Sequence, residues 1–463
     1  MKKKISLFSL VLLITAAIDS IRNLPAAALF GPSVIFFFTL AALLFLIPTA
    51  LVAAELSATF PEKGGVYHWV QMAFGDHVGM LAIWLQWINT IVWYPTILSF
   101  IAGTIAYVIS PDLAQNQYYI ASVIFVVFWG LTLLNLKGLH LSAKVNAFCM
   151  SVGTIFPMIL LITLGFYWFF AKKTLQITFS SQTIFPTINN SQSFISLVAI
   201  MASFLGMELS GVHVKDVDNP QKTFPKAIFI SSAFILLTML FGSLSIAIVL
   251  PDSEINLVAG VMQVFQSFFA FSHIEFFTPI LAFLIVIGSV GSIINWLISP
   301  AKGLLHASEF GFMPASFSKK NAHGVPSKIL LTQAIFVSAL CLIFLFIPSV
   351  NSFYWFLTAL STSLYMLMYI LMFFSALYHH KNYLDRPKAF KIPGNHLGMC
   401  LTCLLGLLGA TLTIIVSFFA PEEISVRSLS TYSFMIAGGL FFMILPVSFF
   451  YLYRYFNRRQ HSN

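Results

Sequence analysis

Hydrophobic residues along this chain fall in long blocks that short polar segments separate. Residues 34–51 and 155–170, for example, are largely apolar on every face and lack the alternation of a barrel strand. Each block is about 20 residues long, which as a helix crosses a hydrocarbon core of about 30 Å. The pattern therefore predicts transmembrane helices, because a lipid-embedded backbone must satisfy its own hydrogen bonds.

Twelve such blocks predict an all-α membrane protein with one transmembrane domain over residues 1–463. The predicted spans cover residues 5–30, 34–56, 78–109, 118–136, 146–171, 194–212, 228–250, 276–303, 329–348, 352–378, 396–419 and 431–454. Residues 256–271, between the seventh and eighth spans, have helical apolar spacing and follow Asp252 and Glu254. We interpret them as an external helix at the membrane surface.

Polar residues interrupt two of these spans, the first and the sixth. The interruption of the first span consists of Asp19, Ser20, Ile21, Arg22 and Asn23, followed by Leu24 and Pro25. In the sixth span, Glu208 lies between Gly206 and Gly211 in the middle of an apolar run. A glycine pair alone is more often a sign of helix packing, so the predicted break in the sixth span depends on the carboxylate.

Two broken helices at membrane depth predict a binding site. Unwound backbone leaves peptide groups without helical partners, which is tolerable only around a wet cavity or a bound polar ligand. Half-helix N-termini suit a carboxylate, and half-helix C-termini with free carbonyls suit an ammonium, so together they favour a zwitterion. The simpler alternative is that Arg22 pairs with Asp19 or Glu208 and only holds two helices together.

Composition and charge agree with a membrane protein. The chain is 59% hydrophobic and 8% charged, where soluble domains carry about a quarter charged residues. With both termini in the cytoplasm, only Lys172, Lys173 and Arg427 of the 24 Lys and Arg face outside, and Arg22 lies at membrane depth. This bias is the positive-inside rule. The net charge of +9 therefore reports the topology of a bacterial inner-membrane protein, not a nucleic-acid partner.

Three other classes of protein have weaker support, namely metal- or cofactor-binding proteins, membrane-embedded enzymes and channels. The four cysteines show no metal-ligand spacing, and no cofactor motif is present. A membrane-embedded enzyme would have to use Asp19, His213 and Asp216, which no nucleophile motif accompanies. A channel is less consistent with two asymmetric breaks, which favour one occluded site over a ring of identical segments. A transporter of small molecules is therefore the predicted class.

Several motifs resemble the amino acid-polyamine-organocation superfamily, beginning with the two broken spans. Further similar motifs lie in three loops. They are residues 54–56 and 61–70 after the second span, residues 132–138 and 142–145 after the fourth, and residues 311–314 and 324–326 after the eighth. Residues 244–251 and 254–263 resemble, more narrowly, the bacterial glutamate:GABA antiporter family. The likeness runs through nearly the whole chain.

The resemblance implies a fold and a set of site residues. The fold would be a LeuT-like 5+5 inverted repeat, residues 5–171 and 194–378, followed by two helices within 396–454. The site would lie between the first, third, sixth, eighth and tenth spans. The residues that match the family's site positions are Glu208, Trp296, Tyr365 and Tyr369. The other candidate site residues are Asp19, Ser20, Arg22 and Asn23 of the first break, Gly206 of the sixth, and Gln86, a weaker candidate in the third span. Each aromatic residue, taken singly, fits helix packing equally well.

The family also implies alternating-access exchange of an amino acid such as glutamate for a related amine or amino acid such as GABA. We expect Arg22 to neutralise a substrate carboxylate and Glu208 to face the ammonium or sense pH. The superfamily's Gly-Ser-Gly stretch in the first break is replaced here by residues 19–23, which leaves the substrate open. Gly153 stands where some proton-coupled members carry a lysine, which favours exchange. Proton- or sodium-coupled symport is the alternative, and both a monomer and a homodimer fit the sequence.

Overall fold

The computed structural model describes residues 5–60, 65–138, 143–171, 173–185, 192–209, 217, 219–347, 349–383, 390–422 and 428–460. Nearly all of this part of the chain is helical, as the sequence predicts. The α-helices in chain order are α1 Leu7–Ile18, α2 Leu24–Ala28, α3 Val34–Ala41, α4 Ile47–Thr59, α5 Val66–Phe74, α6 Asp76–Ile109, α7 Gln117–Leu136, α8 Ala143–Met150, α9 Phe156–Phe170, α10 Ser181–Ile184, α11 Gln192–Ala202, α12 Pro220–Ala247, α13 Gly260–Ser272, α14 Thr278–Glu309, α15 Ser327–Phe344, α16 Val350–Asn382, α17 Asn395–Val416, α18 Leu429–Ile444 and α19 Pro446–Gln460.

Ten helical segments of the described chain are long and apolar enough to cross a membrane. They correspond to the predicted spans except the first and the sixth, whose helices are shorter because they are interrupted. Several helices extend beyond the predicted apolar blocks, since α12 begins at Pro220, α14 continues to Glu309 and α16 continues to Asn382. The sequence pattern marks the part of a helix in contact with lipid, whereas helical hydrogen bonds continue into the polar zone.

The first span is broken at its polar segment. Helix α1 ends at Ile18, and Asp19 and Ser20 have extended backbone with ψ angles of 117° and 112°. A short 3₁₀ turn, Ile21–Asn23, follows before α2 begins at Leu24. Pro25 lies in the first turn of α2, where its missing N–H costs no helical hydrogen bond.

The sixth span is also interrupted. Helix α11 ends at Ala202, and residues 207–209 form a 3₁₀ turn after a non-helical stretch. Gly206 has φ +107°, a conformation that residues with a Cβ rarely adopt. The second predicted glycine, Gly211, lies outside the described residues.

Helix α6 packs along both α14 and α16, and all three are long helices beside the two breaks. These are the third, eighth and tenth predicted spans. The predicted external helix is α13, which begins at Gly260 and packs near α2. A Cβ on Gly260 would lie 2.9 Å from Cβ of Pro25, so the glycine allows α13 to approach α2 of the broken first span.

The fifth and eighth spans approach closely through two glycines. Gly153 lies in a π-helical segment, Ser151–Ile155, shortly before Pro157, whose missing N–H cannot continue the helical ladder. A Cβ on Gly153 would overlap the backbone of Gly288 and the carbonyl of Leu284 on α14. The two helices can therefore meet at this level only if both positions lack a side chain.

Replacing Gly153 by alanine should destabilise the protein, because the added methyl group has no space between the two backbones. Overpacking of this kind typically costs about 1–3 kcal/mol. Thermal unfolding of the purified protein in detergent should show a lower midpoint for Gly153→Ala. The matched control is Gly130→Ala on α7, where a Cβ meets no atom within 4 Å. Equal midpoints for the two variants would contradict this packing.

Candidate functional site

A cavity lies where the two broken spans meet the third, eighth and tenth spans. It encloses about 620 Å³ of empty space, counting its opening. Its lining residues are Ile18, Asp19, Ser20, Arg22, Asn23, Asn89, Trp93, Thr96, Ala202, Leu205, Ser292, Trp296, Thr358, Ser361, Thr362 and Tyr365. Six of the predicted site residues are among them: Asp19, Ser20, Arg22, Asn23, Trp296 and Tyr365.

Arg22 lies at the wall of this cavity and is 5% exposed. Its Nη1 donates to Oγ1 of Thr96 at 2.9 Å and to the hydroxyl of Tyr354 at 3.4 Å. Its guanidinium carbon lies 5.0 Å from the ring centre of Trp93. Its Nε is buried without a hydrogen-bond partner among the described residues. These contacts orient the guanidinium while its charge meets only uncharged groups.

Asp19 follows the last residue of α1 and is 2% exposed. Its Oδ2 accepts a hydrogen bond of 3.1 Å from Thr238 on α12. Its Oδ1 is buried and has no partner in the described part of the chain. Neither Asp19 nor Glu208 forms an ion pair with Arg22 within the described residues. The alternative of a simple helix-pinning salt bridge therefore has no support from these contacts.

Glu208 lies in a separate hydrogen-bonded cluster behind the cavity wall and is 1% exposed. Its Oε1 accepts from the hydroxyl of Tyr365 at 2.5 Å and from Nε2 of Gln86 at 3.2 Å. Its Oε2 accepts from the hydroxyl of Tyr369. The remaining predicted residue, Gly206, donates its backbone N–H to that same tyrosine oxygen at 2.9 Å. Both carboxylate oxygens are thus occupied, and Tyr365 alone among these residues also lines the cavity.

Aromatic rings form one side of the cavity. Trp296 on α14 lies 5.4 Å from Trp93 on α6, centre to centre. The backbone carbonyl of Trp296 accepts from the hydroxyl of Tyr94 at 2.8 Å, which holds α14 against α6. Trp93 therefore contacts both the cation of the first break and the aromatic residue of the eighth span.

The sequence analysis missed several residues of this site, of which Asn89, Trp93 and Thr96 share α6. A recognisable signal was present, because Gln86, Asn89, Trp93 and Thr96 are spaced three, four and three residues apart and so share one helical face. Asn89 accepts a 2.5 Å hydrogen bond from Ser361 on α16. No comparable signal identifies Thr238 or Tyr354, which reach the first break from other helices.

The described residues contain no group of three or more His, Cys, Asp or Glu side chains placed to hold a metal ion. The side chains proposed for an enzymatic alternative, His213 and Asp216, lie outside the described residues. What the described lining of the cavity offers is one buried basic group, one buried acidic group and many hydroxyl and amide groups around an open space. Such a site can bind a small polar ligand without covalent chemistry.

Comparison with known proteins places the chain among transporters. The sequence model described as "Amino acid permease" matches residues 5–442. An uncharacterized transporter of Legionella pneumophila is 38% identical over 446 residues, 96% of each chain. A glutamate/gamma-aminobutyrate antiporter of Lactococcus lactis is 27% identical over 469 residues, which cover 100% of this chain and 92% of the relative. A probable agmatine/putrescine antiporter of the same species is 25% identical over 405 residues, 85% of this chain and 83% of the relative.

The family model covers nearly the whole chain, and the relatives named above are bacterial transporters. Together with the ten apolar spans, this identifies a multi-pass protein of the inner membrane. The protein belongs to the amino acid permease family of the amino acid-polyamine-organocation superfamily.

Proposed function

We propose that this protein is an antiporter that exchanges one amino acid for a related amino acid or amine by alternating access. The observation that carries the proposal is the cavity at the two breaks, into which Arg22 and Asp19 bring opposite charges that do not pair with each other. Buried charges without partners are costly unless a ligand compensates them. A zwitterionic amino acid would supply both counter-charges at once.

Arg22 is the proposed partner of the substrate carboxylate. Its free Nε and the guanidinium plane beside Trp93 offer the fork of donors that a carboxylate accepts. Asp19, instead of Glu208, is the proposed partner of the ammonium, because its Oδ1 has no described partner whereas both Glu208 oxygens accept hydrogen bonds from side chains. Glu208 then connects the sixth span to the third and tenth spans.

The proposed architecture is twelve spans in the inverted-repeat arrangement, with repeats at residues 5–171 and 194–378, two further helices within 396–454, and both termini in the cytoplasm. Equivalent positions in the two repeats support it. The breaks fall in the first span of each repeat, and the third spans, α6 and α14, are both long and pack against each other. In alternating access the first and sixth spans would rock against these helices.

Two observations support exchange over coupled symport. The glutamate/gamma-aminobutyrate relative and the agmatine/putrescine relative are both named antiporters, although the substrates in their names differ. Gly153, where some proton-coupled members carry a lysine, is packed against Gly288 with no space for a side chain. Glutamate and GABA remain the first pair to test, and symport coupled to protons or sodium remains the alternative.

The exchange mode can be measured with purified protein in proteoliposomes. We expect labelled amino acid to enter vesicles preloaded with glutamate, GABA or another amino acid, and not to enter empty vesicles, because an antiporter returns only with a bound substrate. Imposed sodium and proton gradients are the controls for symport. Accumulation in empty vesicles under either gradient would reject antiport and support the alternative.

Arg22→Gln should weaken amino-acid uptake, since it removes the proposed partner of the carboxylate while keeping a polar side chain. Truncating one partner of a buried charge pair costs about 2–5 kcal/mol, so we expect a rise in KM of at least about 30-fold. Arg22→Lys retains the charge and should show a smaller rise. The matched control is Lys320→Gln, an exposed cation that does not line the cavity. Unchanged KM in Arg22→Gln would remove Arg22 from the proposed site.

A further inference from the structure

The cavity carries one side chain of each charge. Among its sixteen lining residues, Arg22 is the one cation and Asp19 is the one anion. The other polar lining groups are the hydroxyls and amides of Ser20, Asn23, Asn89, Thr96, Ser292, Thr358, Ser361, Thr362 and Tyr365, and they carry no charge. The described wall of the cavity therefore presents equal positive and negative charge to a ligand.

Neither of these two groups forms an ion pair with a described residue. The described hydrogen-bond partners of the Arg22 guanidinium are the hydroxyls of Thr96 and Tyr354, and that of the Asp19 carboxylate is the hydroxyl of Thr238. Both side chains are at least nine-tenths buried. Each of the two groups thus lacks a counter-charge among the described residues.

Glu208 does not add a second negative charge to this wall. It is absent from the lining, and its carboxylate accepts from Tyr365, Tyr369 and Gln86. Tyr365, which does line the cavity, donates its hydroxyl to this carboxylate. The balance of charge that a ligand meets is therefore set by Asp19 and Arg22.

We infer that the cavity selects amino acids with no net charge, and that Asp19 and Arg22 are the residues that set this selectivity. The inference rests on the proposed function and narrows its substrate class. An acidic amino acid would bring a second carboxylate for which the described wall has no cation. A diamine would leave Arg22 unpaired and bring a second ammonium beside it. Uncompensated charge in a desolvated site is strongly unfavourable.

The side chain of the substrate is expected to be small and polar. Asn89, Ser361 and Thr362 provide amide and hydroxyl groups, whereas the Trp93 and Trp296 rings close one side. This chemistry fits a hydroxyl or amide side chain, or the short chain of an ω-amino acid. GABA, serine and glutamine are suitable neutral probes. Glutamate is the matched acidic probe, since it differs from glutamine by a carboxylate in place of an amide.

Competition in the exchange assay at pH 7 tests the inference on the unaltered protein. Vesicles are preloaded with a mixture of neutral, acidic and basic amino acids. The uptake of labelled GABA, serine or glutamate is then measured in the presence of unlabelled competitors. Glutamine, serine or GABA should compete at least about ten times more effectively than glutamate or putrescine. Exchange with glutamate as the best competitor would overturn the inference but leave the proposed antiporter intact. Absence of exchange for every amino acid would instead overturn the proposed function.

Two substitutions test which residues set the selectivity. Asp19→Asn leaves a net positive wall, so the ratio of glutamate to glutamine affinity should rise by at least about tenfold. Arg22→Gln leaves a net negative wall, so the ratio of putrescine to glutamine affinity should rise. Matched controls are Asp252→Asn and Lys320→Gln, which change exposed charges away from the cavity and should keep the original ratios. Unchanged ratios in both cavity variants would overturn the assignment.

A measurement of charge movement remains decisive if a cavity variant fails to fold. In vesicles loaded with glutamine alone, exchange for another net-neutral amino acid carries no net charge, so uptake of the preferred substrate by the unaltered protein should not change when a potassium diffusion potential is imposed with valinomycin. If that uptake follows the imposed potential in the absence of sodium and proton gradients, a charged substrate is exchanged for glutamine and the inference is overturned.

Discussion

A helix that stops inside a bilayer leaves peptide groups without their helical partners, and lipid offers no replacement. In this protein α1 stops at Ile18, and extended backbone at Asp19 and Ser20 follows. The surrounding helices must therefore bring polar groups to this point. Thr238 reaches Asp19 from α12, while Thr96 and Tyr354 reach Arg22 from α6 and α16.

The same requirement explains the sixth span. Gly206 turns the chain through a backbone conformation that a side chain would disfavour, and its N–H is satisfied by Tyr369. Glu208 then accepts hydrogen bonds from helices α6 and α16 through Gln86, Tyr365 and Tyr369. The described part of the second break is thus stabilised by side-chain hydrogen bonds to Glu208, whereas Arg22 and Asp19 at the first break have no ion-pair partner among the described residues. The two interruptions therefore differ in the partners that the fold gives to their charged side chains.

Rigid and adaptable contacts are distributed unevenly around the site. The long helices α6 and α14 are joined by the Tyr94 hydrogen bond to Trp296, and the fifth span meets α14 through the paired glycines 153 and 288. The first break is held by a few side-chain hydrogen bonds and one cation–π contact. Such a division suits a carrier, because a scaffold must keep its shape while the elements that hold the substrate change position.

The sequence by itself determined the apolar spans, the two interruptions and the residue types that fill them. These are local properties. The thickness of the bilayer fixes the length of the hydrophobic runs, and a charged residue within such a run is rare because burying it in lipid is costly. Tertiary structure decided the rest. Only the packing of α6, α12 and α16 around the first break shows that Arg22 forms an ion pair with neither Asp19 nor Glu208. The same packing brings further polar and aromatic side chains to the break, namely Asn89, Trp93, Thr96 and Thr238. Only the approach of Tyr365 and Tyr369 shows that Glu208 lies behind the cavity wall. Partners of this kind are separated by up to several hundred residues, and their contact depends on which helix faces meet, a property that no local pattern encodes.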